Sequence, residues 1–185
     1  LRLLKDAGCD LGKANGKGRT PAHGAARNGH KGCLRLLKEA GGDLGQADND
    51  GTIPAHGAAE NGHEGCLLLL LKEADLGLAN DEGTTPAHYA AWNGHEGCLR
   101  LLQEAGCDLG KANCHGTTPA HSAAYNGHEG CLRLLKEAGC DLGQADNHGH
   151  TPACKAAENG FEGCLRLLAE AGYFALEDGD CLWIV

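Results

Sequence analysis

The 185-residue chain has no methionine, one serine and few aromatic rings: two Phe, two Trp and three Tyr. Each shortage excludes something. Without Met, Leu1 is not an initiator. Because Leu1-Arg2-Leu3-Leu4 restates Leu99-Arg100-Leu101-Leu102, the chain is expected to begin inside an earlier repeat, as a piece of a longer array. With so few rings, the apolar content is mostly Ala and Leu, which suits stacked helices more than a thick globular interior. The only serine, Ser122, does not stand in a nucleophile elbow. The longest apolar run, Cys66 to Leu71, is far too short to span a membrane. Positive charge is also scarce, with 16 Lys and Arg against 25 Asp and Glu and a net charge of −9. Phosphate backbones and anionic lipid both need concentrated positive charge, so neither nucleic-acid binding nor membrane insertion is expected.

The eleven cysteines contain no Cys-x-x-Cys pair, the ligand spacing of structural zinc sites. Their odd number and their recurrence with the repeat argue against a disulfide framework. Reduced thiols imply an intracellular, cytoplasmic setting. No Gly-rich loop is followed by Gly-Lys-Ser/Thr, so no phosphate loop qualifies.

What the chain does have is periodicity. Pro21, Pro54, Pro86, Pro119 and Pro152 are 33, 32, 33 and 33 residues apart. A fixed period of this length marks a stacked repeat. A partial repeat at 1–14 precedes units at 15–47, 48–79, 80–112, 113–145 and 146–172. A tail at 173–185 breaks the pattern. The third unit serves as template. Thr85 is an N-cap candidate, and Pro86 sits at the first helical position, where its missing N–H costs nothing. That helix stops at Asn93-Gly94. A second helix carries Cys98, Leu99, Leu101, Leu102 and Ala105 on one apolar stripe. Gly106 ends it, and a short Gly/Asn/Asp-rich turn follows. Neither helix buries its stripe alone, so stacked neighbours must do so together.

The string Gly-Thr-Thr-Pro-Ala-His-x-Ala-Ala-x-Asn-Gly-His, then Leu-x-Leu-Leu, then Ala-Gly-x-Asp-Leu, resembles the ankyrin repeat over nearly all of residues 1–172. The resemblance implies an all-α solenoid of helix-turn-helix units with β-hairpin-like fingers. It also implies a concave face of finger tips and first helices that binds other proteins. Three departures stand out. Ala22, Ala55, Ala87, Ala120 and Ala153 replace the family's usual Leu after Pro. Gly32, Gly65, Gly97, Gly130 and Gly163 sit in the first turn of the second helix, where Gly is a poor helix former; modest stability is expected. Unit two is one residue short near Leu71 to Asp75, and a local distortion is expected there.

Eight histidines hold two repeat positions: His23, His56, His88 and His121 after Pro-Ala, and His30, His63, His95 and His128 after Asn-Gly. A catalytic residue is needed once, whereas these recur, so a structural role is expected. The resemblance implies hydrogen bonds within and between loops. In unit five Cys154 and Phe161 take the two places. Cys33, Cys66, Cys98, Cys131 and Cys164 lie on the apolar stripe, where Cys acts as a small hydrophobe. Cys114-His115 is the only adjacent Cys-His pair and lacks partners in sequence. No catalytic residue, metal or cofactor is expected.

Recognition is expected where the copies disagree, since stacking demands likeness. The residue after Pro-Ala-His is Gly24, Gly57, Tyr89 and Ser122, with Lys155 in unit five. The residue after Ala-Ala is Arg27, Glu60, Trp92, Tyr125 and Glu158. The two positions are three apart and share a helix face. Tyr89, Trp92, Ser122 and Tyr125 are therefore expected side by side as a partner-binding patch, and Tyr and Trp are enriched at hot spots. Finger-tip residues Asp81, Glu82, His115 and His148 complete the candidate site. The expected function is a non-catalytic protein–protein interaction module, a monomeric array binding another protein. The alternatives are a recruitment arm of a larger enzyme or channel, and a metal- or redox-responsive Cys-rich protein.

Overall fold

Thr20, Thr85, Thr118 and Thr151 each hold an extended backbone immediately before a proline, and a seven-residue helix begins at that proline. Ile53 does the same in unit two. A computed structural model describes residues 12–72, 79–175 and 181–183. Its inner helices are α1 (Pro21–Arg27), α3 (Pro54–Glu60), α5 (Pro86–Trp92), α7 (Pro119–Tyr125) and α9 (Pro152–Glu158). Its outer helices are α2 (Lys31–Glu39), α4 (Glu64–Leu70), α6 (Glu96–Glu104), α8 (Glu129–Glu137) and α10 (Glu162–Glu170). Inner helices pack on inner helices, and outer on outer, from one unit to the next. The result is a two-layered all-α stack whose core is shared between neighbours.

The core follows the repeat pattern. Ala26, Ala58, Ala59, Ala90, Ala91, Ala123, Ala124 and Ala156 are fully buried, as are Leu34, Leu67, Leu99 and Leu132. The Ala that follows each Pro is also buried in all five units. The recurring Gly of the outer helices has a packing reason that its helix propensity hides. The carboxylates of Glu64, Glu96 and Glu129 lie against Gly97, Gly130 and Gly163 of the following unit, in the space a Cβ would need.

The first histidine set closes the inner helices. In unit three the N–H of Thr85 donates to Nδ1 of His88, and Nε2–H of His88 donates to the carbonyl of Thr117 in the next finger. His23, His56 and His121 repeat both bonds. The imidazole thus takes the role that Glu plays at N3 of a capping box and also links two units. The second set binds backward: Nε2–H of His63, His95 and His128 donates to the carbonyls of Arg27, Glu60 and Trp92.

Each finger is an Asx-stapled turn. Oδ1 of Asp48, Asn80, Asn113 and Asp146 accepts from the N–H groups two and four residues on. Each finger also donates a backbone N–H to the one before, as from Asp81 to Asp50 and from Cys114 to Glu82.

Two regions depart from the pattern. Helix α4 ends at Leu70 and has seven residues, where its counterparts have nine. Most of the shortened stretch of unit two, and most of the partial repeat at 1–14, lie outside the described residues. In the tail, β1 (Tyr173–Ala175) and β2 (Cys181–Trp183) form an antiparallel hairpin, the one sheet among the described residues. Strand β1 packs on α9 and α10, and the Tyr173 hydroxyl donates to Asp141 at 3.2 Å.

Candidate functional site

The inner helices carry the residues that differ between units, and the fold sorts them into separate places. Nε2–H of His128 donates to the Trp92 carbonyl at 3.0 Å, which ties the end of α5 to unit four. Asn93 Nδ2–H donates back to the Tyr89 carbonyl and closes the last turn of α5. With the helix end held this way, the Trp92 and Tyr125 rings stack at 5.3 Å with 17° between their planes. Both remain open to solvent, at 49% and 42% exposure. Stacking holds them in one orientation, so little side-chain entropy is left to lose on contact.

The four-residue patch expected from the sequence does not form. Ser122 is only 5% exposed; its short side chain is buried and withdrawn from the contact surface. Tyr89 turns toward unit two. Its ring meets His56 edge-on at 5.7 Å and 89°. Burial, and then the carboxylates of Glu60, Glu82 and Asp48, raise its phenol above the usual range.

Tyr89 instead forms one wall of a groove of about 560 Å³ over α1 and α3. Gly24 and Gly57 lie in its floor, with Arg19, Arg27 and Glu60 around them. Both glycines stand at variable positions of the repeat, but the pattern within a unit does not mark a groove over them. The available signal was that the two positions bearing Tyr89 and Ser122 in later units carry no side chain in units one and two. Arg19 is anchored: its Nε–H donates to Asp48 Oδ2 at 3.0 Å, and the Asp48 side chain has no exposure. Burial alone would raise the Asp48 carboxyl. The Arg19 bond and the N–H groups of Asp50 and Thr52 outweigh it and hold the group below its usual range.

Asp81, Glu82, His115 and His148 are exposed along the row of finger tips, apart from the aromatic stack. One of the two variable residues of unit five is engaged elsewhere. Lys155 Nζ donates to His150 Nδ1 at 3.0 Å and lies 3.5 Å from Asp146.

Ankyrin-repeat family models match residues 1–80, 41–113 and 105–178. The chain belongs to the ankyrin-repeat family. No curated protein matches it significantly. Ankyrin repeats are in general protein–protein interaction modules, and the surface described above is where this ankyrin array differs from unit to unit.

The thiols of the array mostly face its interior. Burial, then Glu64, pushes Cys98 up to about 12; burial, then Glu96, does the same to Cys131. Cys140 and Cys164 are raised to about 11, chiefly by burial. A thiol held protonated is a poor nucleophile and metal ligand. Among the described residues no group of three His, Cys, Asp or Glu is placed to hold a metal. One expectation needs correction: Cys154 is disulfide-bonded, whereas thiols were expected throughout. Among the described residues no helix is long and apolar enough to cross a membrane.

Proposed function

We propose that this ankyrin array is a non-catalytic recognition module that binds a partner protein across its inner-helix face. The observation that carries this reading is the exposed Trp92–Tyr125 stack beside the groove walled by Tyr89. Monomeric proteins seldom expose apolar patches without a use for them. Stacked rings also offer large contact area at low ordering cost. Asp81, Glu82, His115 and His148 add the exposed finger tips to this surface, with Asp81 and Glu82 as its carboxylates. Eight free thiols among the described cysteines, set against the one disulfide at Cys154, support an intracellular, cytoplasmic setting.

The test is affinity purification from the native cell. Wild-type chain is compared with a Tyr89→Ala/Trp92→Ala/Tyr125→Ala variant of equal helical content. Proteins retained by the wild type and lost by the variant support the reading. An identical set of captured proteins sinks it.

A further inference from the structure

The groove over α1 and α3 is kept open by a glycine that the fold does not require. Gly24 has ordinary helical backbone, and a Cβ placed there meets nothing within 4 Å. Glycine inside a helix is destabilising relative to alanine. Neither backbone strain nor packing explains its presence, but an empty groove floor does. At Gly57 a Cβ would lie 3.3 Å from the Arg27 Cβ, so only a very small residue fits beside that arginine. Together the two glycines leave a trough long enough for a side chain that the array itself does not supply, with Tyr89 as its far wall.

The charge around this trough runs against the rest of the chain. No Asp or Glu occurs between Asp10 and Glu39, a stretch with seven Lys and Arg, in a protein of net charge −9. Three of those cations, Lys13, Arg19 and Arg27, line the groove, with Glu60 as the one carboxylate among the described residues of its lining. Arg27 reaches Glu60 only at 4.0 Å, with both side chains well exposed, a weak pairing. Arg19 is set by its Nε–H bond to Asp48. That bond leaves the outer guanidinium N–H groups for a second carboxylate, a fork that suits paired hydrogen bonds.

We propose that the groove takes an extended acidic segment of the partner protein. An Asp or Glu side chain meets Arg19 and Arg27, and an adjacent aromatic or large aliphatic side chain fills the space over Gly24 and Gly57. The inference rests on the reading of the inner face as a protein-binding surface, and it adds polarity: the acidic end lies at unit one, the apolar end toward Tyr89 and Trp92. A long polyanion such as nucleic acid is disfavoured, because the units that follow are acidic on balance and would repel phosphates beyond the first contacts.

The probe is a phage-displayed library of linear twelve-residue peptides, panned on the wild-type chain. Enriched peptides are then titrated against Gly24→Phe, which fills the trough, and Arg27→Glu, which reverses an exposed charge. Thermal melts confirm that both variants are folded. Expected are sequences with Asp or Glu next to a large apolar residue. Their binding should fall at least about tenfold in each variant, and the wild-type affinity should weaken with salt. Enriched peptides that lack acidic residues, or that bind both variants as well as wild type, overturn the proposal. So does an absence of enrichment over bare support. Equal displacement of the peptide by a twelve-residue oligothymidylate overturns it in favour of phosphate. Peptides lost by Trp92→Ala/Tyr125→Ala yet insensitive to Gly24→Phe and Arg27→Glu overturn the acidic-groove inference while leaving the interaction-module reading intact.

Discussion

Nε2 of His88 lies 2.9 Å from the carbonyl oxygen of Thr117, one repeat along the chain. Because Nδ1 of the same ring accepts the Thr85 N–H at 3.1 Å, the proton must sit on Nε2, and the ring is neutral in the fold. Burial, opposed by the bond to Thr117, depresses His88 from 6.5 to about 4. His56 and His121 are depressed as well, chiefly by burial. The unfolded chain therefore binds more protons than the native one between these values. The stability contributed by the neutral ring is complete above pH 6.5 and is lost as pH falls toward 4. For His88 alone the full loss is about 3 kcal/mol, at 1.36 kcal/mol per pKa unit. Urea midpoints should fall steeply between pH 7 and 5, and His88→Gln should flatten that slope. Equal midpoints at the two pH values would show that the rings are not held neutral.

The second histidine set makes a different demand on the chain. Gly94 has φ +75°, and a Cβ there would stand 2.7 Å from Nδ1 of His128. Gly106 has φ +78° with open space around it. Gly106→Ala should carry the backbone cost alone, about 1–2 kcal/mol. Gly94→Ala should cost more, because the His128 ring must move and its bond to the Trp92 carbonyl is lost, adding about 1 kcal/mol. Chemical denaturation of the two variants measures the difference. Equal losses would mean that His128 adapts freely.

These features explain what was legible beforehand. Pro86, Ala90, Ala91 and the Leu stripe recur because each unit presents the same surface to its neighbours, so period and composition suffice to place them. Recurrence also marked the histidines as structural, though their two bonding directions needed coordinates. The candidate site was harder. Tyr89 and Trp92 are three residues apart and share a helix face, yet one rotates toward unit two and the other toward unit four. That choice depends on what the neighbouring unit offers at the same position: Gly57 leaves room on one side, and the Tyr125 ring lies on the other. Pattern within one unit cannot show it. The groove is illegible in the sequence for the same reason, since it consists of absent side chains in two successive units.

Thiol reactivity should follow position. Cys114 is exposed on its finger. Cys66, Cys98, Cys131 and Cys164 are buried in the stack and hold their protons. Brief alkylation of the native protein, mapped by peptide mass spectrometry, should modify Cys114 well ahead of those four. In denaturant all five should react at similar rates. Rapid native labelling of Cys98 or Cys131 would show that the outer-helix layer opens more readily than its packing implies.

Trp92 and Ser122 give the sharpest contrast between surface and core. Both occupy variable positions, and both were expected at the partner interface. Trp92 is 49% exposed and meets Tyr125 by stacking. Trp92→Ala should therefore cost no more than about 0.5–1.5 kcal/mol of stability, the worth of an aromatic pair. Ser122 is buried, so Ser122→Leu must force a larger group into a packed space, at about 1–3 kcal/mol. Denaturation curves should separate the two variants, while partner capture should be lost with Trp92→Ala. A Ser122→Leu protein as stable as wild type would put that side chain back on the surface, and with it the four-residue patch that the structure takes apart.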